Sequence, residues 1–290
     1  MQQSPDTDEL TTEHFVDVGS ARICYRKAGS GPALVMLHGF PLSGLTWRKL
    51  IPALSERFTC YAFDLIGLGS STSDDATDFS SPGQGRAFQQ ALAAIGVTSY
   101  ALLGNDTGGW VARELALLDR ERVTHLALTN TEIPGHRPPW IPLYQIAVRL
   151  PGSSFIMRRM LRSRRFRRSP MAFGGCFESL DYIDGEFVRL FVQPIVESRK
   201  RLAGMFQFLE EMGFERLDEL AHLHGQLTMP TAFLWGDADP TFQEKDARQM
   251  ARQFPNVQSF RTLPNAKLFF YEEHPEAVTH WLIEFIANGG

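Results

Sequence analysis

The residues most able to do chemistry are Gly104-Asn105-Asp106-Thr107-Gly108-Gly109, which set a carboxylate between glycines spaced for a sharp turn. The apolar run Tyr100 to Leu103 before them suits a buried strand, and Trp110, Val111, Leu115 and Leu118 after them recur at helical spacing. A strand that turns abruptly into a helix lifts one side chain at the strand's C-terminal end, close to free backbone N–H groups. A carboxylate held there suits an sp3 carbon with a leaving group, such as an epoxide or an alkyl halide. Attack on an acyl group would give only a labile anhydride. The plainer alternative is a glycine-rich turn whose aspartate caps a helix.

Three further loops carry polar residues after short apolar runs. Ala33 to Leu37 leads into His38-Gly39-Phe40-Pro41, and Phe58 to Phe63 leads into the loop Asp64 to Ser70. Thr231 to Trp235 leads into Gly236-Asp237-Ala238-Asp239-Pro240. Val123 to Leu128 and Val257 to Arg261 read as two more strands. Helical spacing recurs between the strands, at Trp47/Leu50/Ile51/Leu54, at Phe88/Leu92/Ile95 and at Val278/Trp281/Leu282/Phe285. Strands alternating with helices predict an α/β fold with a mostly parallel central sheet flanked by helices. Such sheets collect their chemistry beyond the strands' C-terminal ends, so the loops share one rim. The block from Glu132 to Gln226 breaks the rhythm. It opens with a proline-rich turn, Pro134 to Pro142, and continues as helices rich in aromatics and arginines. The expected organisation is a first core part over 1–131, a helical lid over 132–226 and a second core part over 227–290.

A length of 290 residues suits one such domain with an insertion. A hydrophobic fraction of 43% and a charged fraction of 21% are ordinary for a globular protein, and a net charge of −4 makes no case for nucleic acid. Met1 to Leu10 has neither a basic nor an apolar region, so no signal peptide is expected. No run of 18 apolar residues exists, so no membrane span is expected. Cys24, Cys60 and Cys176 are scattered and odd in number, which fits a reducing cytoplasm without a disulfide framework or zinc. Cys24 and Cys60 read as buried thiols. The expectation is a cytoplasmic protein that needs neither cofactor nor metal and acts on a small molecule.

Together these landmarks resemble the α/β-hydrolase fold superfamily, from about Phe15 to Ile286. The aspartate in the elbow is similar to that of the epoxide hydrolase and haloalkane dehalogenase branch. The resemblance implies that the backbone amides of Phe40 and Thr107 form the oxyanion hole, where each donor contributes a few kcal/mol to a developing anion. It implies that His38 is structural and that Asp239 is the acid of the catalytic triad, with Asp237 a turn residue. Glu132 is a second candidate, because some dehalogenases place their acid after that strand.

The sequence also departs from the family. The histidine that activates water normally stands seven residues before the proline opening the last helix. Counting back from Pro275 gives Leu268. Without that base an alkyl ester on the aspartate would persist. His274 is the nearest substitute in sequence, and His222 and His224 lie at the lid's return. Thr107 replaces the tryptophan that binds halide in dehalogenases, Phe40 replaces their asparagine, and Trp110 reads as core.

An epoxide opened by a hydroxyl of the same molecule needs a base and a proton donor but no activated water. Asp106 is the expected base, with its pKa raised in a dry pocket. The donor is expected to be a lid tyrosine, Tyr144 in preference to Tyr182. The product would be a cyclic ether, a reaction known in polyketide antibiotic biosynthesis. Ordinary hydrolysis or dehalogenation with a displaced histidine, and non-catalytic ligand binding, stay open as alternatives. The segment 149–168 holds eight arginines and no acid. Arg158, Arg159, Arg162, Arg164, Arg165, Arg167 and Arg168 form either a solvated helix face or a docking patch for an acyl carrier protein or coenzyme A. Replacing four of them by serine should raise the apparent KM for a carrier-bound substrate.

Overall fold

The computed structural model describes residues 12–138 and 140–288. The polar start Met1 to Leu10 lies outside them. The strands are β1 (His14–Val18), β2 (Ala21–Ala28), β3 (Ala33–Leu37), β4 (Thr59–Phe63), β5 (Thr72–Ser73), β6 (Tyr100–Asn105), β7 (Val123–Thr129), β8 (Thr231–Gly236) and β9 (Val257–Leu263). They form one sheet in the order β1-β2-β4-β3-β6-β7-β8-β9, with β5 paired to β2. Pairings from β4 through β9 are parallel, and β1 and β2 join antiparallel at one edge. The central strands β4, β6 and β8 are buried throughout, as a sheet covered on both faces requires. At the far edge β9 is part-exposed along its length and carries Gln258, Arg261 and Thr262.

The helix Ser81–Ala94 begins where the Ser80 hydroxyl accepts from the Gly83 amide, with a proline in its first turn. It packs with the helix Thr107–Leu118 over β6. Between β7 and β8 every described element is helical. Charged contacts clasp this helical block to the core. Arg216 forks onto both oxygens of the buried Glu114, at 2.8 and 2.9 Å. Arg48 bridges the buried Glu272 to Glu186 of the helical block. Trp110 joins the lid helix Phe214–Leu223 through Phe214, Leu217 and Leu220, so it is core as expected. Among the described residues, no helix is long and apolar enough to cross a membrane.

The strand-to-helix turn after β6 depends on close backbone approach. A Cβ on Gly108 would lie 2.2 Å from the carbonyl oxygen of Leu37, and one on Gly104 would lie 2.6 Å from that of Gly108. Gly108→Ala therefore pushes β3 away from the turn. A loss of about 1–3 kcal/mol is expected in urea unfolding, against a small change for Gly225→Ala, where a Cβ meets open space.

Candidate active site

Asp106 adopts φ 50° and ψ −135°, a conformation that costs a non-glycine residue about 1–3 kcal/mol. Local bonds hold it there. Its amide donates to the Asn130 carbonyl at 2.8 Å, and its carbonyl accepts from the Thr131 hydroxyl at 2.8 Å. The side chain then lies against Gly39, where a Cβ would stand 2.5 Å from Asp106 Oδ2. This explains why His-Gly-Phe and Gly-x-Asp belong together.

The Phe40 amide donates to Asp106 Oδ2 at 2.9 Å, and the Thr107 amide also stabilises the carboxylate. The loop bearing Phe40 is braced from behind. His38 is fully buried, with Nδ1 donating to the Gly39 carbonyl and Nε2 accepting from the Leu65 amide. Burial lowers its pKa to about 4, so it is a neutral strut. Asp64 binds Gly44 N, Ser70 N and Arg26, which fixes the loop Asp64 to Ser70 as scaffold rather than chemistry.

A cavity of about 160 Å³ opens over Asp106 between the sheet rim and the lid. Its wall is mainly apolar, with Ile141, Met157, Leu161, Met205 and Phe269 among its residues, and its acids are Asp106 and Glu132. Burial raises the Asp106 pKa well above the usual carboxylate range, and repulsion from Glu132 raises it further. The Phe40 and Thr107 amides oppose this but do not overcome it. Glu132 is also raised by burial, yet Arg113 and the Thr107 and Thr131 hydroxyls draw it back toward the ionised form. Two buried carboxyls that repel each other titrate as a pair rather than singly.

Arg113 was not anticipated. It is fully buried behind the elbow and donates to the carbonyls of Gly109 and Glu132, at 3.1 and 2.7 Å. Burial lowers its pKa to about 10, so it stays charged. The signal for it was an arginine inside an otherwise buried helical run, Val111 to Ala116.

Asp239 sits at the C-terminal end of β8, buried behind the cavity wall. Asn130 Nδ2 donates to it at 2.6 Å, and the amides of Thr241 and Phe242 donate at 2.7 and 3.2 Å. Burial outweighs these bonds and raises its pKa to about 6. Among the described residues, no imidazole is hydrogen-bonded to it. The expected histidine position is Leu268, whose side chain lines the cavity and whose carbonyl accepts from Asn105 at 3.1 Å. Cys176, on the lid, stands close enough to both Asp239 and Asp106 for each to raise its pKa after burial has done so. The protonated thiol donates to the Ala172 carbonyl at 3.9 Å.

Among the described residues, no histidine lines the cavity. His274 pairs with Glu178 at 3.0 Å, outside the cavity. His224 is buried against Arg113 and Gln253, and burial lowers its pKa to about 3. His222 lies on the lid helix Phe214–Leu223, also outside the cavity. Tyr144 lines the cavity, but its hydroxyl donates to the Met171 carbonyl at 2.5 Å. Tyr182 is not brought to the cavity; it stacks on Phe177 and faces Lys49 near the surface. Asp237 accepts from the Asn265 amide, a turn role as expected. Of the arginine run, Arg164, Arg167 and Arg168 engage Asp184, and Arg168 also engages Asp181. Arg158 donates to the Val196 carbonyl. No group of three or more His, Cys, Asp or Glu able to hold a metal occurs among the described residues.

A protein family described as alpha/beta hydrolase fold matches residues 32–155. The chain is 27% identical over 282 residues to haloalkane dehalogenase 2 of Mycobacterium bovis, covering 93% of each. It is 38% identical over 124 residues to the soluble epoxide hydrolase of Corynebacterium sp., covering 43% of each. Among solved structures, the epoxide hydrolase CorEH without ligand superposes with a TM-score of 0.81 at 25% identity, covering 96% of this chain and 99% of that one.

Proposed function

Given that the chain has the α/β-hydrolase fold, we propose that it opens epoxides with a nucleophile supplied by the substrate itself. The relatives support a hydrolase-type enzyme of this superfamily, and the finer reading rests on the site. The observation that carries it is the composition of the cavity wall. Asp106 and Glu132 are its two acids, while Leu268 stands where a water-activating histidine would be needed.

In this reading the pair replaces the histidine. In this proposal the one proton starts on Asp106 and Glu132 is the ionised partner, a charge that nearby Arg113 favours. A hydroxyl of the bound hydroxy-epoxide attacks the epoxide carbon. A new C–O bond forms as the ring C–O bond breaks. Glu132 takes the hydroxyl proton and Asp106 gives its proton to the departing oxygen. The pair ends with the one proton it began with, and the product is a cyclic ether isomeric with the substrate. Asp106 thus becomes the donor rather than the base. Asp239 tunes the pair's charge from behind.

The experiment is the pH–rate profile of kcat on a hydroxy-epoxide, for the parent and for Glu132→Gln. The parent should be bell-shaped, falling at low pH as Glu132 is protonated and at high pH as Asp106 loses its proton. Glu132→Gln should lose about 10²-fold or more in kcat and flatten the acidic limb. An unchanged profile would sink the pair. Tyr144→Phe should change kcat by less than about threefold, because that hydroxyl's proton is committed to Met171. A larger loss would return the donor's part to Tyr144.

A further inference from the structure

The helices Trp140–Val148 and Ser153–Arg162 form a hairpin whose two faces do different things. The inner face, with Ile141, Tyr144, Met157 and Leu161, lines the cavity. The outer face is apolar and uncovered. Leu143, Ile146 and Leu150 form one stripe, with Ile146 62% exposed, and Phe155 and Ile156 lie beside it, with Phe155 72% exposed. Exposed apolar side chains scattered singly are ordinary, but five on one hairpin make a patch.

Arginines interleave with that patch. On the second helix Phe155, Arg159 and Arg162 stand at helical spacing i, i+4, i+7 and so share a face. Asp181 and Asp184 account for Arg164, Arg167 and Arg168. Arg149, Arg159, Arg162 and Arg165 are exposed and make no ion pair among the described residues.

We propose that this hairpin docks on an anionic phospholipid surface, with Leu143, Ile146, Leu150, Phe155 and Ile156 entering the headgroup–acyl boundary and the four unpaired arginines meeting the headgroups. A face rich in arginine and carrying Phe, Ile and Leu lies naturally in that interface, where arginine stems run along apolar surface while their heads stay wet. Protruding aliphatic side chains need a groove on a protein partner, whereas a bilayer accepts them without one. The charge is complementary, and each arginine near such a surface contributes about fivefold in affinity. Docking would hold at the bilayer surface a hairpin whose opposite, inner face is cavity wall, independently of the chemistry proposed above.

The test floats the full chain with vesicles of phosphatidylcholine alone, or of equimolar phosphatidylcholine and phosphatidylglycerol, at low and high salt. Binding is expected to the mixed vesicles, weaker at high salt and much weaker to phosphatidylcholine alone. The pair Phe155→Ser/Ile156→Ser and the pair Arg159→Gln/Arg162→Gln should each weaken it by more than about tenfold, with unchanged circular dichroism and melting. No binding to mixed vesicles, or binding indifferent to both pairs, overturns the proposal. So does a dimer in light scattering that Phe155→Ser/Ile156→Ser dissociates, because a second copy then covers the face. Capture by an acidic acyl carrier protein with no vesicle binding overturns it too.

Discussion

Asp106→Asn is expected to lower kcat by about 10³-fold while leaving the fold intact, since the amide oxygen still accepts from Phe40 but the side chain can no longer donate an acidic proton. The same change should stabilise the protein, with a defined dependence on pH. A carboxyl whose folded-state pKa lies above its unfolded value favours the fold while it is protonated. That contribution is full below the unfolded pKa, about 3.9 for aspartate, and is lost as pH rises through the folded value. Burial and Glu132 raise the Asp106 pKa in the fold, so the ionised parent pays a desolvation cost that asparagine does not. The melting temperature of Asp106→Asn should match the parent near pH 4 and exceed it increasingly toward pH 8. Asp239, raised to about 6, adds a decline of the same sign between about pH 4 and pH 6 in both proteins. Retained turnover, or a melting temperature that falls below the parent's at pH 8, would remove Asp106 from the chemistry. Gains of stability on neutralising a buried functional charge follow the usual trade-off between activity and stability.

Leu268→His is expected to change the reaction rather than slow it. The side chain of Leu268 already lines the cavity over Asp106, and Asp239 stands buried behind that wall with no imidazole to orient. An imidazole placed there would meet a waiting carboxylate and could activate water. The expected result is a diol from simple epoxides, formed about 10²-fold or more faster than by the parent. The thiol of Cys176 shares that space, close to both Asp106 and Asp239. Leu268→His/Cys176→Ala should therefore be faster than Leu268→His alone. Diol formed by the parent at the rate of either variant would mean that another residue already activates water.

Much of this site was legible in the chain because backbone geometry writes itself into glycines. Gly39, Gly104 and Gly108 are each required by an approach that a Cβ would block, so their spacing announced the turn and the loop facing it. Asp106 followed from those glycines, whereas Phe40 and Asp239 were read from the family resemblance. Contacts formed through the lid were not legible. Cys176 reaches Asp239 and Asp106 only once the lid folds back, and nothing local marks it. The contrast between Tyr144, on the wall, and Tyr182, stacked on Phe177, depends on how lid turns rotate, which their spacing does not fix. The acids that bind three of these arginines, Asp181 and Asp184, lie outside the segment in which charges were counted. The pairing of Glu132 with Asp106 needed the depth of burial, because exposed carboxyls at the same spacing would barely interact.

The central claim is that water is not the nucleophile. The direct measurement incubates the protein with a hydroxy-epoxide in oxygen-18 water and weighs the products. An unlabelled cyclic ether with the mass of the substrate is the predicted result. A diol carrying oxygen-18 would contradict it, because the parent protein would then activate water without a histidine at position 268.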